Sequence, residues 1–283
     1  MTSNQDKAQR FLELHHGPEP LLIPNPWDTG SAKLLAALGF AALATTSSGF
    51  AATMGRGDGS VTRDEALAHA TAMAAATSLP VSADLEDGFA SQPADVAETI
   101  RLAAGTGLAG CSVEDFTRDD SSPIYERALA VDRVAAAAEA AHAGQAGRGA
   151  GPGTAGTRLV LTARAENYLY GRQDLADTIA RLQAYQEAGA DVLYAPGLTG
   201  LADVREVVCS VDRPVNVLTV PGGPSVAELA EAGVRRISVG GAFMYVALGA
   251  VAAAARELRD QGTSGFLGLA REGREVARQA FGG

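Results

Sequence analysis

Short apolar runs alternate with helical patterns along almost the whole chain, and this alternation restricts the possible folds more than any other feature of the sequence. Eight runs are predicted strands, near residues 20–25, 41–46, 80–84, 109–114, 158–164, 191–195, 214–218 and 235–239. Parallel strands that helices cover on the outside are typically short and apolar throughout. The pattern therefore predicts an α/β protein built from repeated βα units.

Glycine marks the joints between several predicted helices and the strands that follow them. These glycines are Gly39, Gly107, Gly189 and Gly233, each at the end of a helical pattern and directly before an apolar run. Glycine just past a helix accepts the left-handed backbone conformation that turns the chain into a strand. Eight units in 283 residues, with no GxGxxG after the first strand, favour a (β/α)8 TIM barrel over a doubly wound sheet. We expect residues 1–283 to form one such domain.

Two segments lie outside the βα pattern. Residues 144–157 (GQAGRGAGPGTAGT) are rich in glycine, which predicts a surface loop. After the eighth predicted strand come two helical patterns, one more than closure of a barrel requires. We expect the surplus helix, residues 264–280, to form a C-terminal extension that docks on a neighbouring subunit or is swapped with it, in a homo-oligomer such as a dimer or tetramer.

Composition argues against several classes of protein. A formal net charge of −10 disfavours nucleic acid as a partner, because phosphate binding needs a concentrated basic surface. No apolar run reaches the ~20 residues of a membrane span, and the N-terminus lacks the order of a signal peptide, so we expect a soluble cytoplasmic protein without a membrane partner. Cys111 and Cys209 have no CxxC spacing, and we expect both to be buried small hydrophobes.

Polar residues follow the predicted strands where barrel enzymes carry their active sites, at the carboxyl ends. Strand alternation places Asp84, Glu114 and Arg164 on faces that converge if they point inward. Carboxylates that converge repel one another unless a cation lies among them, and ligands that are all oxygen suit Mg²⁺, or alternatively Mn²⁺. The alternative is that these residues are helix caps and salt bridges at the rim.

The predicted strand ends contain no histidine and no lysine, and this limits the possible mechanisms. No histidine lies at a predicted strand end, so acid–base work falls to carboxylates, hydroxyls or water. A Schiff-base aldolase needs a lysine at a strand end, and the only lysines, Lys7 and Lys33, lie elsewhere. The sequence thus excludes that mechanism.

The same strand ends carry motifs that resemble those of the isocitrate lyase and phosphoenolpyruvate mutase superfamily. Residues 27–33 (WDTGSAK) resemble its first helix, and residues 46–50 (TSSGF) and 55–58 (GRGD) its substrate-binding turn and gating loop. Residues 83–89 (ADLEDGF), 113–115 (VED) and 163–166 (ARAE) are similar to its DADxGYG, LEDK and ARxE motifs, in the same order. The likeness covers nearly the whole chain.

This resemblance implies a Mg²⁺ site, a substrate-binding turn and a loop that closes over the reacting atoms. Asp84 and Glu114 would help to hold the metal, Arg164 would bind a substrate oxygen, and Asp58 would ride on the loop. The candidate residues are Asp58, Arg164 and Glu166 for catalysis; Ser48, Gly49, Phe50 and Asn216 for substrate binding; and Asp84, Glu114, Glu86 and Asp87 for the metal.

The sequence also departs from the family's pattern. Ser82 stands where the metal motif has its first aspartate, so we expect Glu86 or Asp87 to supply the missing contact. Phe116 replaces the lysine after the ED pair, and nothing between Phe116 and Arg164 resembles the KxCGH segment that carries the cysteine of isocitrate and methylisocitrate lyases. The absence of that segment disfavours cleavage of those two acids.

The sequence therefore predicts a Mg²⁺-dependent lyase or hydrolase that breaks a carbon–carbon bond in a small anionic 2-oxo or 2-hydroxy acid, through a pyruvate-like enolate. Phosphorus–carbon chemistry on phosphonopyruvate or phosphoenolpyruvate is the alternative within the superfamily. Two other classes stay open. One is a catalytically degenerate barrel that acts as a binding protein, and the other is an unrelated phosphate-binding barrel, suggested by the Gly pairs at residues 222–223 and 240–241.

Overall fold

The computed structural model describes residues 3–143 and 158–282, in which strands and helices alternate as the sequence predicts. The strands are β1 (Leu21–Ile23), β2 (Leu43–Ala44), β3 (Val81–Asp84), β4 (Gly110–Glu114), β5 (Val160–Arg164), β6 (Val192–Tyr194), β7 (Val215–Leu218) and β8 (Arg236–Ser238). The helices are α1 (Asn4–Leu14), α2 (Thr29–Ala37), α3 (Ser47–Thr53), α4 (Arg63–Ala76), α5 (Pro93–Ala104), α6 (Arg127–His142), α7 (Leu175–Glu187), α8 (Leu201–Ser210), α9 (Val226–Glu231), α10 (Ala242–Gln261) and α11 (Leu267–Phe281). Every strand lies within a predicted run.

The strands form one parallel sheet that curls into a barrel. Their order is β1-β8-β7-β6-β5-β4-β3-β2. The remaining gap is bridged where the amide of Ala44 on β2 donates to the carbonyl of Pro24, just past β1, at 3.1 Å. The four joint glycines adopt the left-handed conformation, with φ between 86° at Gly233 and 106° at Gly189. The predicted (β/α)8 barrel is confirmed.

Helix α1 closes the amino-terminal end of the barrel. Its Phe11 is fully buried among residues of the inner wall such as Leu21 and Val160. Gly110 on β4 leaves the room that this ring needs, since a β-carbon there would lie 2.7 Å from it. Because this end is plugged, the open end is the one formed by the carboxyl ends of the strands.

The outer helices begin where local signals predict. The carboxylate of Asp28 accepts a hydrogen bond from the amide of Ser31 at 2.7 Å and so caps α2. Thr62 and Glu65 form the predicted capping box of α4, and Pro93 is the first residue of α5. Apolar side chains of these helices pack against the outer faces of the strands and form the main core, as expected for this fold.

The two helices after β8 confirm the predicted surplus helix and differ in how they pack. Helix α11 lies against α2 of the same chain, where Leu269 and Val276 share an apolar cavity with Leu34. Helix α10 buries only the side chain of Met244 and exposes most of its apolar residues. The barrel therefore has an uncovered apolar helix beside its open end.

Two other expectations concern parts of the chain away from the site. No helix in residues 3–143 and 158–282 is long and apolar enough to cross a membrane. The glycine-rich segment 144–157 lies outside the described residues.

Candidate active site

The open end of the barrel leads into a cavity of about 200 Å³, which we call the site cavity. Residues at the carboxyl ends of most strands line it, together with the start of α3 and one residue of the loop that follows it. It thus occupies the position where (β/α)8 barrels carry their active sites.

Arg164, the last residue of β5, lies at the centre of three carboxylates. Its Nη1 is 3.1 Å from Asp84 Oδ1, its Nη2 is 3.0 Å from Glu114 Oε2, and its Nε is 2.7 Å from Glu166 Oε1. Asp84 and Glu114 end the neighbouring strands β3 and β4, and Glu114 is the register partner of Arg164. Parallel pairing therefore brings the predicted residues together.

If all three were ionised, these carboxylates would carry more negative charge than one guanidinium balances. Burial raises the pKa of Glu114 well above its usual value, and the charges of Glu166 and Asp84 raise it further, against the opposing effect of Arg164. Burial also raises the pKa of Glu166 to about 7, even though Arg164 lowers it. A site of this kind favours a second cation.

Asp84 is held at the mouth of the cavity by backbone groups. Its carboxylate accepts hydrogen bonds from the amides of Ser47 and Glu86 at 3.1 and 3.2 Å. Its own amide donates to the hydroxyl of Thr45 at 2.9 Å. These bonds fix the direction in which the carboxylate faces, before any ligand binds.

Glu86 and Asp87 face a different partner from the one predicted. Arg118 donates from Nη2 to Glu86 Oε2 at 2.9 Å and from Nε to Asp87 Oδ1 at 2.8 Å. Neither carboxylate lines the site cavity, and Asp87 lies on a separate groove. Burial, followed by the charge of Asp84, raises the pKa of Glu86 to about 7. That either residue replaces the metal contact absent at Ser82 stays a prediction.

The predicted substrate-binding turn is only partly directed at the cavity. Ser48 lines it, whereas the amide of Gly49 donates to the hydroxyl of Thr46 at 3.3 Å. The ring of Phe50 stacks on that of His69, with centroids 3.8 Å apart, and is not part of the cavity lining. Asp58, on the exposed loop after α3, does line the cavity.

The lower wall of the cavity contains one predicted residue and one that sequence reasoning missed. Asn216 on β7 donates from Nδ2 to the hydroxyl of Ser238 at 3.0 Å, and its Oδ1 is buried with no partner among the described residues. Arg236, the first residue of β8, is the missed one. Strand alternation in residues 235–239 was a usable signal, since it places Arg236 and Ser238 on one face.

The residues present fit a weakly caged magnesium ion rather than a closed metal site. In the described part of the chain, no three His, Cys, Asp or Glu side chains are arranged to hold a metal on their own. Mg²⁺ commonly binds through one or two carboxylates and keeps several waters. Asp84 and Glu114 provide such oxygen donors, in a cluster where a bound cation would favour the ionised carboxylates.

A (β/α)8 barrel that gathers acidic residues and one central arginine at the carboxyl ends of β3, β4 and β5 has the architecture of a barrel enzyme. The sequence profile of the phosphoenolpyruvate phosphomutase family matches residues 11–259. The chain therefore belongs to that family, within the isocitrate lyase and phosphoenolpyruvate mutase superfamily of lyases and mutases.

Three similar proteins illustrate the range of the superfamily. A candidate lyase/mutase from Burkholderia cenocepacia is 49% identical, with a TM-score of 0.89 over 97% of this chain and 95% of that one. A 2,3-dimethylmalate lyase is 27% identical, with a TM-score of 0.80 over 94% and 90% of the two chains. The 2-methylisocitrate lyase of Escherichia coli is 29% identical over 204 residues, which cover 69% of this chain and 64% of that enzyme.

Proposed function

We propose that the protein is a Mg²⁺-dependent lyase or hydrolase that breaks a carbon–carbon bond in a small 2-oxo or 2-hydroxy dicarboxylic acid. The bond cleavage would pass through a pyruvate-like enolate. The observation that carries this proposal is the position of Arg164, held by Asp84, Glu114 and Glu166 at the wall of a small closed-bottom cavity.

The chain's own residues can stabilise such an enolate by fixed charge. Arg164 is oriented on three sides, so its guanidinium needs little reorganisation when negative charge develops on a substrate oxygen. Glu166 contributes by fixing Nε of Arg164. When bound at Asp84 and Glu114, Mg²⁺ would supply further positive charge for the developing oxyanion. The loop that carries Asp58 would exclude water when it closes over the mouth.

Phosphorus–carbon chemistry is the second candidate, because the family profile that matches the chain is that of phosphoenolpyruvate phosphomutase. A phosphate-binding barrel of another kind receives less support. The amides of Val239 and Gly240, which would bind phosphate in such a barrel, donate instead to Asn25 Oδ1 at 3.0 and 2.9 Å.

A substrate panel separates these candidates. Oxaloacetate, 2,3-dimethylmalate, methylisocitrate and phosphonopyruvate are each incubated with the protein and Mg²⁺, and the products are assayed for pyruvate, oxalate and phosphate. We expect pyruvate or oxalate from one of the carbon acids, and none from an Arg164→Met variant. Equal amounts of phosphate and pyruvate from phosphonopyruvate, with no cleavage of the carbon acids, would favour the second candidate, whereas bound metal without any turnover would indicate a binding protein.

We also propose that the enzyme works as a homo-oligomer. Helix α10 exposes Val246 and Val251 at 68% and 67%, and Tyr245 and Leu258 by more than half. An apolar helix face of this kind is typical of a surface that another copy of the chain covers.

A further inference from the structure

Arg236 points into the barrel at a deeper level than Arg164. Its Nη1 donates to the hydroxyl of Thr162 at 2.9 Å. Thr162 is one inward-facing position below Arg164 on β5, so the guanidinium of Arg236 lies one layer further down. Beneath it is the ring of Phe11, whose centroid is 5.9 Å from Arg236 Cζ. Arg236 therefore forms part of the floor of the site cavity.

The charge of Arg236 has no acidic partner in the part of the chain that the structure describes. Its side chain is 5% exposed, and no carboxylate in residues 3–143 and 158–282 lies at ion-pair distance from it. Its Nε is buried without a hydrogen-bond partner in the same part of the chain. Burial lowers its pKa to about 10, against the opposing effects of Tyr194 and of the more distant Asp84 and with a further contribution from Arg164, and this still leaves it charged at neutral pH. A buried cation of this kind is costly unless an anion accompanies it.

Arg164, the other arginine that lines the cavity, is less suited to bind a further anion at the floor. Arg164 also lines the cavity, but three carboxylates already surround it. Of these two cations, Arg236 alone has its charge uncompensated. The electrostatic demand for an anion is therefore greatest at the floor, below the cluster of acidic residues.

The floor around Arg236 is polar rather than apolar. The other residues that line the cavity include Ser82, Ser112 and Ser238. Hydroxyls of this kind can donate hydrogen bonds to carboxylate oxygens, which accept several each. A hydrocarbon tail would offer no hydrogen-bond acceptor to Nε of Arg236 or to the hydroxyls of Ser82 and Ser112. The chemistry of the floor thus favours an oxyanion.

We propose that Arg236 determines specificity by binding the second carboxylate of a dicarboxylic acid at the floor of the site cavity. The inference rests on the proposed function, because it adds an orientation for that substrate. The reacting end would lie at Asp84 and Arg164, and the distal carboxylate at Arg236. An acid of equal length with a methyl group in place of the distal carboxylate leaves the charge of Arg236 unpaired and is selected against.

Binding of two matched acids tests this assignment without requiring turnover. Malate and 2-hydroxybutyrate, each as a racemate, share a 2-hydroxy carboxylate and differ only in a carboxylate or a methyl group at the far end. Isothermal titration calorimetry with Mg²⁺ present should show that the wild-type protein binds malate at least about tenfold more tightly, as a charged hydrogen bond predicts. Equal affinities in the wild type would overturn the inference.

Substitutions then locate the source of the preference. Arg236→Gln should weaken malate binding by about tenfold or more and change 2-hydroxybutyrate binding little, while Arg236→Lys should restore part of the loss. Arg235→Gln is the matched control, because Arg235 is exposed and its side chain donates to the carbonyls of Gly17 and Pro18, outside the cavity. It should leave both affinities unchanged.

A purely structural role for Arg236 predicts a different pattern. In that case Arg236→Gln would weaken the binding of malate and of 2-hydroxybutyrate equally, and the inference would be wrong. If that variant does not fold, Thr162→Val tests the same point, since it removes the hydroxyl that positions Arg236 and should reduce the preference for malate several-fold. An unchanged preference for malate in a folded Thr162→Val protein would overturn the inference.

Failure of this inference and failure of the proposed function give distinct results. If no acid in the substrate panel is cleaved but the preference for malate is lost in Arg236→Gln, the proposed reaction is wrong and the role of Arg236 stands. If carbon–carbon cleavage occurs with equal kcat/KM on monocarboxylic and dicarboxylic acids, the reaction stands and the role of Arg236 is wrong.

Discussion

At the scale of single residues, Asp84 connects the acidic cluster to the mouth of the cavity. It contacts Arg164 on one side and the amide of Ser47 on the other. Its side chain belongs to the rim of the barrel and contributes little to the core, so its loss should affect chemistry far more than folding.

Metal dependence follows from this position of Asp84. We expect excess chelator to abolish turnover and added Mg²⁺ or Mn²⁺ to restore it, and Asp84→Ala to lower kcat by about a hundredfold or more with an unchanged melting temperature. Asp64→Ala is the control, because the Asp64 side chain is 89% exposed on α4. Full activity in excess chelator would contradict the proposed role of the metal.

The positions of the two cysteines lead us to expect that isocitrate and methylisocitrate are poor substrates. Cys111 is buried in β4, where burial raises its pKa to about 12, and Cys209, which we expected to be buried, is exposed near the end of α8. Neither lines the site cavity, so neither can protonate a succinate-type carbanion. We expect isocitrate and methylisocitrate to be cleaved far more slowly than the preferred acid, as measured by release of glyoxylate or pyruvate.

Efficient cleavage of either acid by a protein in which both cysteines are changed to Ala would contradict that expectation. Another residue, such as Ser122 or Tyr125, would then have to act as the acid. In the structure the ring of Tyr125 lies under the guanidinium of Arg133, 4.2 Å from its Cζ.

The buried His15 should make the free energy of unfolding depend on pH. Burial, followed by the charge of Arg236, lowers its pKa to about 3, whereas an unfolded histidine titrates near 6.5. The unfolded chain therefore binds the proton first as the pH falls, so the contribution of His15 to stability is present above about pH 6.5 and is lost below it. The loss should reach about 3 kcal/mol near pH 4.5.

Urea unfolding of variants at several pH values measures this contribution. His15→Asn should show a smaller decline of the free energy of unfolding between about pH 6.5 and pH 4.5 than the wild type. His16→Asn should decline as the wild type does, because the neighbouring His16 is exposed. Identical slopes in wild type and His15→Asn would mean that His15 is not held neutral by the fold.

At the scale of elements, the loop that follows β3 is strained and depends on a helix for its shape. Glu86 and Phe89 both have positive φ, at 49° and 56°, which is unfavourable for residues other than glycine. Arg133 of α6 is buried and donates to the carbonyls of Asp87, Ala90 and Ser91. The helix thereby supports the backbone beside the acidic cluster.

Loss of this support should reduce activity at a distance. We expect Arg133→Met to raise the Mg²⁺ concentration needed for half-maximal activity by about tenfold, because residues that orient metal ligands commonly have effects of this size. Arg127→Met, at an exposed position of the same helix, should have no effect. Unchanged metal dependence in a folded Arg133→Met protein would limit Arg133 to a structural role.

At the scale of the whole molecule, the C-terminal helices leave apolar surface that the monomer does not cover. Ending the chain after Gly262 removes α11 and uncovers Leu34 on α2. We expect this truncation to convert an oligomer into a monomer or an aggregate, as measured by sedimentation velocity.

The exposed face of α10 gives a second test of the oligomer. The double substitution Val246→Glu and Val251→Glu should also yield a monomer, while Arg256→Glu at a polar position of α10 should not. A wild-type chain that is monomeric at micromolar concentration would remove the basis for both.

Local sequence was sufficient for the architecture because its signals depend on near neighbours. Runs of apolar residues, capping side chains such as Asp28 and left-handed glycines such as Gly189 act through the backbone within a few positions. Once eight βα units are recognised, the barrel rule assigns the site to the carboxyl ends of the strands. The meeting of Asp84, Glu114 and Arg164 follows from strand alternation together with that rule.

Only the tertiary structure decided which charged groups pair with one another and which remain unpaired. Arg118 binds Glu86 and Asp87 across the chain, and Arg236 enters the barrel floor without an acidic partner among the described residues. Such pairings depend on distances between residues far apart in sequence and on how deeply each group is buried. Neither quantity has a local pattern, since the same arginine in a strand can form a rim salt bridge or lie beneath a substrate, according to the level at which the barrel places it.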